Sequence, residues 1–431
     1  MVIVAQVTRI ELFPGVRLTA VHTNTFKSCV LGAQFLSPLS PETAAANALV
    51  PSVLRRGTAK HPDMESISAA LDELYGGSIQ PIVRARGEIQ CVGFLGNFLD
   101  DAYTLDGSAV LEPAANLLGE LLLNPRTQDG AFCPDYTAGE RANLIDRIRA
   151  QVNEKRSYAI KRLKEEMCAG EPFAVDRLGD EAHAAALTPE TLWARYQALL
   201  ATAPMELYYC GTAEPARVEA ALRAALQDLP RGERQAVPAH PVPHAAPASP
   251  KEVEEALDVT QGKLTMGFTV GGRVWDQSFP ALLMANAVYG GTTTSKLFLN
   301  VREKLSLCYY ASSALDKCKG VLLVSSGVEF DKVEAARAEI LAQLEACKAG
   351  QIEDWELEGA RRSVVSALRA TGDSQGRLED YWLGQATAGL AEDPEALAAR
   401  VENVTREEVV AAFSAFTLDT VYFLKGKEVS R

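Results

Sequence analysis

A stretch between Arg231 and Pro250 holds five of the 21 prolines in this chain. Because proline fixes the backbone angle φ and lacks an amide hydrogen, this stretch can form neither a helix nor a central strand. We interpret residues 231–250 as an extended linker. The linker divides the 431-residue chain into a predicted N-terminal domain, 1–230, and a predicted C-terminal domain, 251–431.

The two predicted domains resemble each other near their ends. In the first, Thr188 is placed to cap a helix, and a strand-like run beginning at Met205 follows. In the second, Thr405 and Glu408 have capping-box spacing, and a strand-like run beginning at Thr420 follows. Since threonine is a favourable helix N-cap, each domain is predicted to end in a helix and then a strand.

A second correspondence lies upstream. The sequence Ala-Asn-Ala occurs within an apolar, helix-like run at Ala46 and again at Ala285. Two matches in the same order predict a duplicated α+β unit, in which each half is an antiparallel-rich sheet packed with helices. The paired strand-like runs are Ile79–Val83 with Ile89–Leu95, and Cys308–Ala314 with Gly320–Val328. Long helical segments are predicted over Asp129–Met167, Asp331–Lys348 and Asp354–Thr371.

The composition is that of a soluble globular protein, with 47% hydrophobic and 23% charged residues. The formal net charge of −13 argues against nucleic-acid and anionic-membrane partners, which are bound mainly through lysine and arginine. No apolar run approaches the ~18 residues that span a bilayer, and the start of the chain does not resemble a signal peptide. The eight cysteines are scattered without a Cys-x-x-Cys pair, which predicts free thiols and a cytoplasmic location.

Common catalytic motifs are missing from the sequence, including the Gly-x-Ser-x-Gly nucleophile turn and the Gly-x-Gly-x-x-Gly dinucleotide turn. The run Gly290–Lys296 superficially suggests a phosphate loop, but it is better interpreted as a helix start with threonine caps. His240 and His244 are four residues apart, which would suit a metal site on a helix. The prolines between them exclude that helix, so both histidines are assigned to the linker and no three-ligand zinc site is expected.

One segment of the second domain can carry chemistry. Arg302 is predicted to end a short helix, the chain breaks at Ser306, and Tyr309 begins a strand. Such a corner can direct a guanidinium and a phenol at one point, where they can donate to a peptide carbonyl or to a developing oxyanion. The alternative is an arginine on a solvated helix face beside a half-buried strand tyrosine.

The duplicated halves, the linker and this corner together resemble the pitrilysin/insulinase family of zinc peptidases, the inverzincins. Their second half carries a similar run, Ser-[Arg/Lys]-Leu-Phe-x-x-Val-Arg-Glu-x-x-Gly-Leu-x-Tyr. The segment Ser295–Tyr309 matches this run at nearly every position, with Ser306 in place of the usual glycine. The similarity covers almost the whole chain and implies a fold of two α+β half-domains that form half of a clam-shell.

The chain departs from this family at the metal site. Active members carry His-x-x-Glu-His on a helix that ends in a Gly-Thr step, and a third ligand on a later helix. Anchored on Gly57-Thr58, the motif positions and the later ligand position fall on Ala48, Pro51, Ser52 and Arg147. These side chains cannot hold zinc, and no carboxylate remains to act as general base. The resemblance therefore implies a chain that binds no cofactor and is inactive by itself.

Relatives of this type work as pairs, in which one subunit holds zinc and the other lacks it. By resemblance, Arg302 would bind a carbonyl of the peptide substrate and Tyr309 would donate to the tetrahedral intermediate in the partner's active site. The first hypothesis is therefore a non-catalytic, substrate-binding subunit of a heterodimeric zinc endopeptidase. The zinc is expected in a homologous partner subunit, and the isolated chain could form a homodimer.

Two other hypotheses stay open. The chain could be a non-proteolytic scaffold or interaction protein that keeps the shell of the fold. It could also be an enzyme of different chemistry with Cys308 as its nucleophile, although no histidine is placed to activate that thiol.

Overall fold

The computed structural model describes residues 6–427. They divide into two units, each with its own β-sheet and hydrophobic core. The first unit contains the described residues up to Arg149, together with Val175–Ala239 and Gly372–Thr387. The second contains Ala150–Ala174, His240–Thr371 and the described residues from Ala388 onwards.

The first unit is built on a six-stranded sheet with the order β1-β2-β8-β3-β5-β4. Neighbouring strands are antiparallel except for β2 and β8, which are parallel. The strands are β1 (Gln6–Phe13), β2 (Val16–His22), β3 (Ser28–Pro38), β4 (Ser78–Arg86), β5 (Ile89–Leu99) and β8 (Met205–Gly211), and a separate hairpin is formed by β6 (Thr127–Gln128) and β7 (Ala131–Phe132).

The second unit has a five-stranded sheet with the order β11-β12-β10-β13-β9. Its strands are β9 (Lys251–Leu257), β10 (Gly262–Thr269), β11 (Cys308–Asp316), β12 (Val321–Val328) and β13 (Thr417–Gly426). Only the pair β13 and β9 is parallel within this sheet. Starting from its parallel pair, the first sheet has the order β2-β8-β3-β5-β4, and the second has the order β9-β13-β10-β12-β11. In both sheets this parallel pair is followed by three antiparallel pairs. The predicted duplicated α+β fold is therefore confirmed, with β1 as an extra strand of the first sheet.

Helices pack on both sheets. Those before the second sheet are α1 (Pro41–Leu54), α2 (Met64–Asp72), α3 (Leu111–Leu123), α4 (Pro134–Ala150), α5 (Lys155–Met167), α6 (Glu181–Ala185), α7 (Pro189–Thr202) and α8 (Pro215–Ala225). Those that follow are α9 (Phe279–Asn286), α10 (Val333–Lys348), α11 (Asp354–Arg369), α12 (Gln375–Thr387), α13 (Pro394–Glu402) and α14 (Arg406–Ser414). Helices α7 and α14 begin at the predicted caps, Thr188 and Thr405, and each start is a capping box.

The predicted helical segment Asp129–Met167 is interrupted in two places. Its first residues form β7 and the turn before it, and a 3₁₀ turn, Gln151–Asn153, separates α4 from α5. The two helices also belong to different units: α4 packs in the first, whereas α5 buries an apolar face against β12 and β13 of the second. Helical periodicity indicates that a face is apolar, but it does not identify the sheet that covers this face.

Conversely, α12 lies after residue 251 in the sequence but belongs to the first unit. The Gln375 amide donates to the backbone oxygens of Ser28 (2.8 Å) and Cys210 (3.0 Å), so it bridges β3 and β8. Leu383 joins a small apolar cluster with residues of β3 and β5. The units therefore exchange two segments that the predicted domain boundaries, 1–230 and 251–431, assign differently.

Residues 231–250, the predicted linker, contain neither helix nor strand. All eight cysteines are free and buried. Within residues 6–427, no helix has both the length and the apolar character needed to cross a membrane.

Candidate functional site

The segment predicted to form the corner lies in the second unit. A π-helical segment, Leu297–Lys304, carries Arg302, and β11 begins four residues after its end. Between them, Ser306 has a φ of +48°, in the left-handed region. Glycine adopts this conformation without steric cost, whereas other residues are strained there, so a glycine, as in the family run that this segment resembles, would suit this position.

Tyr309 lies on a β-bulge. Along β11, Cys308 pairs with Val328 and Tyr310 pairs with Gly327, so Tyr309 is the extra residue of the strand. A bulge redirects the side chain that it carries, and Tyr309 is 61% exposed as a result. Its hydroxyl donates to Oε1 of Glu329 over 2.5 Å. This hydrogen bond and the charge of the Glu329 carboxylate raise the pKa of the phenol, so Tyr309 remains a proton donor at neutral pH.

Tyr309 and Glu329 line a pocket of about 690 Å³ together with a second acid, Asp258, and three cations, Lys155, Arg156 and Lys263. The Arg156 guanidinium lies 4.2 Å from the ring centroid of Tyr310 and donates to Oγ of Ser312 over 2.9 Å. These two contacts hold Arg156 in place beside the pocket. The pocket therefore offers cationic donors next to a phenol, an arrangement that suits carbonyl or carboxylate oxygens.

Arg302 does not line this pocket. Its guanidinium lies 4.7 Å from the ring centroid of Phe298 and 3.4 Å from a carboxylate oxygen of Glu303, and its side chain is 39% exposed. Arg302 and Tyr309 thus have different partners in the described chain. Their joint action on one substrate group stays a prediction.

The four positions predicted to correspond to the family's metal ligands lie on two helices of the first unit. Ala48 and Pro51 are buried in α1, Ser52 is half-buried beside them, and Arg147 is exposed on α4. None of these side chains supplies a nitrogen, oxygen or sulfur donor set for zinc, so the residues present do not fit this ion.

The same two helices are connected by an ion pair. Arg56, just after the end of α1, approaches Glu140 of α4 with 3.2 Å between Nη1 and Oε1. Gly57 begins the Gly-Thr step on which the match to the family's metal motif is anchored. Only glycine fits at this position, because a Cβ at Gly57 would lie 2.3 Å from the carbonyl oxygen of Pro62.

A polar cluster around His244 was missed by the sequence analysis, which assigned this residue to the linker. The imidazole is nearly buried, with Nδ1 2.6 Å from Oε1 of Glu171 and Nε2 2.9 Å from Oδ2 of Asp419. Hydrogen bonds to Asp419, Cys168 and Glu171 raise the pKa of His244 to about 11. Lys319 also pairs with Glu171. No local pattern predicts this cluster, since its members are distributed over most of the second unit's sequence.

The fold and the predicted ligand substitutions indicate a class of protein: peptidase-like chains built of duplicated α+β halves. A family profile described as "Peptidase M16 inactive domain" matches residues 186–364. Over 415 residues the chain is 34% identical to "Probable inactive metalloprotease YmfF" of Bacillus subtilis (strain 168), and 96% of each chain is covered. The chain therefore belongs to the M16 peptidase family, and the predicted family is confirmed.

Solved structures share the fold. A conserved protein from Enterococcus faecalis V583 has a TM-score of 0.89 and 27% identity, over 99% of this chain and 100% of that one. A peptidase M16 inactive domain from Pseudomonas fluorescens has a TM-score of 0.78 and 18% identity, over 99% of both chains. These structures show the fold, whereas the profile and the Bacillus relative support a peptidase-like chain that is inactive.

Proposed function

We propose that this chain is the non-catalytic, substrate-binding subunit of a two-chain zinc endopeptidase. A homologous chain that retains His-x-x-Glu-His holds the zinc. Arg302 binds a carbonyl group of the peptide, and Tyr309 donates to the oxyanion of the tetrahedral intermediate. The observation that carries the proposal is the presentation of Tyr309: the bulge turns the phenol outwards, and Glu329 holds its hydroxyl beside a pocket with three cationic side chains.

The chemistry of Tyr309 supports this role. A donor to an oxyanion must keep its proton until the charge develops, and the raised pKa of the phenol meets that requirement. The carboxylate of Glu329 accepts the hydroxyl proton in this structure. A substrate oxygen therefore has to compete with Glu329 for the same donor.

The first unit supports the proposed division of labour between two chains. The α1 positions of the family's zinc ligands hold Ala48, Pro51 and Ser52, so hydrolysis requires another chain to supply the metal and the general base. A chain that serves only as a shell has no need of an outward-facing phenol beside lysine and arginine side chains.

The test is a reconstitution. The purified chain is assayed on a quenched fluorescent peptide library alone, with a homologous chain of the same genome that retains His-x-x-Glu-His, and with that chain alone. We expect hydrolysis only from the mixture, together with a heterodimer in light scattering. A mixture that forms no complex, or whose activity equals that of the zinc-bearing chain alone, contradicts the proposal and favours the scaffold hypothesis.

Point variants of the reconstituted enzyme test whether Arg302 and Tyr309 take part in hydrolysis. Loss of a single oxyanion donor typically lowers kcat by about 10²–10³-fold, which is the effect expected for Tyr309→Phe. We expect Arg302→Ala to lower kcat/KM by at least about 10-fold without preventing assembly. Tyr103→Phe and Arg362→Ala remove an exposed tyrosine and an exposed arginine elsewhere and serve as matched controls. Full activity in both corner variants would remove the corner from the mechanism.

We also place the chain in the cytoplasm. The support is its eight cysteines, all of which are free and buried. Fractionation of the native organism, with detection of the chain by mass spectrometry, tests this location.

A further inference from the structure

We propose that Cys168, Glu171 and His244 form a binding site for a divalent transition metal, with zinc as the ion that the donors fit best. The thiol sulfur, a carboxylate oxygen and an imidazole nitrogen of these residues lie within 4.8 Å of one another. All three belong to the second unit, whereas the positions of the family's zinc ligands belong to the first. The inference is independent of the proposed peptidase role.

The donor set favours zinc over harder cations. Thiolate and imidazole ligands select zinc and its neighbours in the transition series, while magnesium and calcium prefer oxygen alone. Zinc bonds to sulfur, nitrogen and oxygen are about 2.0–2.3 Å long, so donors on one tetrahedral ion lie roughly 3.5 Å apart. The present atoms lie within 4.8 Å of one another, and the 2.6 Å contact between His244 and Glu171 has to open to admit the ion.

The surroundings supply the second layer that metal-binding histidines usually have. Metal-bound imidazoles commonly donate their other ring nitrogen to a carboxylate, which fixes the tautomer and the ring orientation. Here Nε2 of His244 lies 2.9 Å from the buried carboxylate of Asp419. Asp419 in turn accepts from the Thr420 hydroxyl over 2.7 Å. Nδ1 is thereby directed towards Glu171, where the ion is expected.

The charges also balance around a divalent ion. With Cys168 as a thiolate, the cluster has three negative groups: this thiolate and the carboxylates of Glu171 and Asp419. The buried ammonium of Lys319 and a divalent cation supply three positive charges. Binding of the ion to a thiolate and a neutral imidazole competes with protons for the same atoms, so the affinity should fall as the pH is lowered.

The consequence of binding is local. Cys168 follows the end of α5, Asp419 lies in β13, and His244 lies in the proline-rich segment. Lys319 already donates to the backbone oxygen of Val242 over 2.9 Å. A metal ion at this cluster would connect His244 of the proline-rich segment to Cys168 at the end of α5. With three protein ligands, the fourth tetrahedral position is left for water.

The test uses the full chain after removal of metals with a chelator. Zinc is titrated against a chromophoric competitor, and cobalt is used to detect a thiolate-to-metal charge-transfer band. We expect one ion per chain, this band with cobalt, and a melting temperature that rises by several degrees with zinc. Binding should be at least about 10-fold weaker in Cys168→Ser and in His244→Ala.

The controls are His240→Ala, a second histidine of the same segment, and Cys347→Ser, which removes an equally buried thiol of the same unit. Both should bind zinc with unchanged affinity. The proposal is overturned if the native chain binds no stoichiometric zinc, or if cobalt binds without the thiolate band. It is equally overturned if a folded Cys168→Ser variant binds zinc as the native chain does. The cobalt spectrum of the native chain decides the question if that variant does not fold.

Discussion

At the scale of single residues, the exposure of Tyr309 comes from one extra residue in a strand. The regular alternation of β11 would direct neighbouring side chains to opposite faces of the sheet. The bulge at Tyr309 interrupts this alternation and places the phenol beside Glu329. The sequence identified Tyr309 through its position in a motif, but a bulge depends on the register with the partner strand and was not predicted.

The contact between Tyr309 and Glu329 leads to a prediction about ionisation. The Glu329 carboxylate accepts from the neutral phenol and repels the phenolate, so the pKa of Tyr309 lies above its ordinary value. We expect Glu329→Gln to lower this pKa towards the ordinary value of about 10. The measurement is an NMR pH titration of tyrosine labelled at Cζ, with the signal assigned by its loss in Tyr309→Phe. An unchanged titration midpoint would show that Glu329 does not control the phenol.

Ser306 provides a prediction about backbone strain. Its side chain is exposed and its φ is +48°, so a substitution acts mainly through the backbone. A β-branched residue is disfavoured in this region, and we expect Ser306→Val to lower the free energy of unfolding by about 1–2 kcal/mol. Ser306→Gly relieves the strain but enlarges the entropy of the unfolded chain, so its net effect should be under about 1 kcal/mol. Urea denaturation measures both, and equal stability of the two variants would contradict the argument.

At the scale of elements, α12 is held to the sheet of the first unit by a buried carboxylate. Glu379 is 1% exposed, pairs with Arg84 over 2.5 Å and accepts from the Gln34 amide over 2.8 Å. The next residue, Asp380, is 55% exposed at its side chain and pairs with Arg84 and Arg86. Two adjacent acids of one helix thus form a buried and an exposed ion pair on the same strand, β4.

These two acids make a matched pair of substitutions. Glu379→Leu leaves Arg84 and Gln34 without their shared acceptor, and we expect a loss of about 3 kcal/mol in the free energy of unfolding. Asp380→Leu removes a solvent-exposed partner and should cost under about 1 kcal/mol. Chemical denaturation measures the stabilities, and hydrogen exchange of the α12 amides shows whether the helix detaches. Similar losses in both variants would mean that burial of Glu379 is unimportant.

Sequence reasoning succeeded best with elements that depend on a few neighbouring residues. The caps at Thr188 and Thr405 each require only residues within one helical turn, and the structure confirms both helix starts. The segment Asp129–Met167 was less well predicted, because its helical periodicity continues across the 3₁₀ turn that separates α4 from α5. The partner of each apolar face depends on residues far away in the sequence.

At the scale of the whole molecule, the exchange of segments between the two units leads to a prediction about fragments. A fragment of residues 1–230 contains α5, whose Leu163 and Met167 belong to a core of the second unit. It lacks α12, whose Leu383 covers Leu36 and Cys91 of the first sheet. We expect this fragment to aggregate or to unfold without cooperativity, since it exposes both the apolar face of α5 and the part of the first sheet that α12 covers.

The control fragment contains all segments of the first unit: residues 1–149, 175–239 and 372–387, joined by flexible glycine-serine linkers. We expect it to be soluble and to show a cooperative thermal transition in circular dichroism. A soluble 1–230 fragment with an equally cooperative transition would show that the linker, and not the exchange of segments, defines the folding units.

The candidate site shows the same dependence on distance along the chain. Arg302 and Tyr309 lie within one short segment, so a motif could identify both, although the structure gives them different partners. The cluster of His244, Glu171 and Asp419 combines residues that are far apart in the sequence, and no motif connects them. The proline-rich context suggested a solvent-exposed linker histidine, but tertiary packing buries this one.

The sequence by itself determined the duplicated α+β halves and the helix starts, because each depends on local spacing. Tertiary structure decided which unit each of α5 and α12 joins, that Tyr309 faces outwards, and that His244 is enclosed by two carboxylates. These features arise from strand register and from packing between distant segments. Short-range patterns carry no information about such pairings, since their free energy is gained only when the distant surfaces meet.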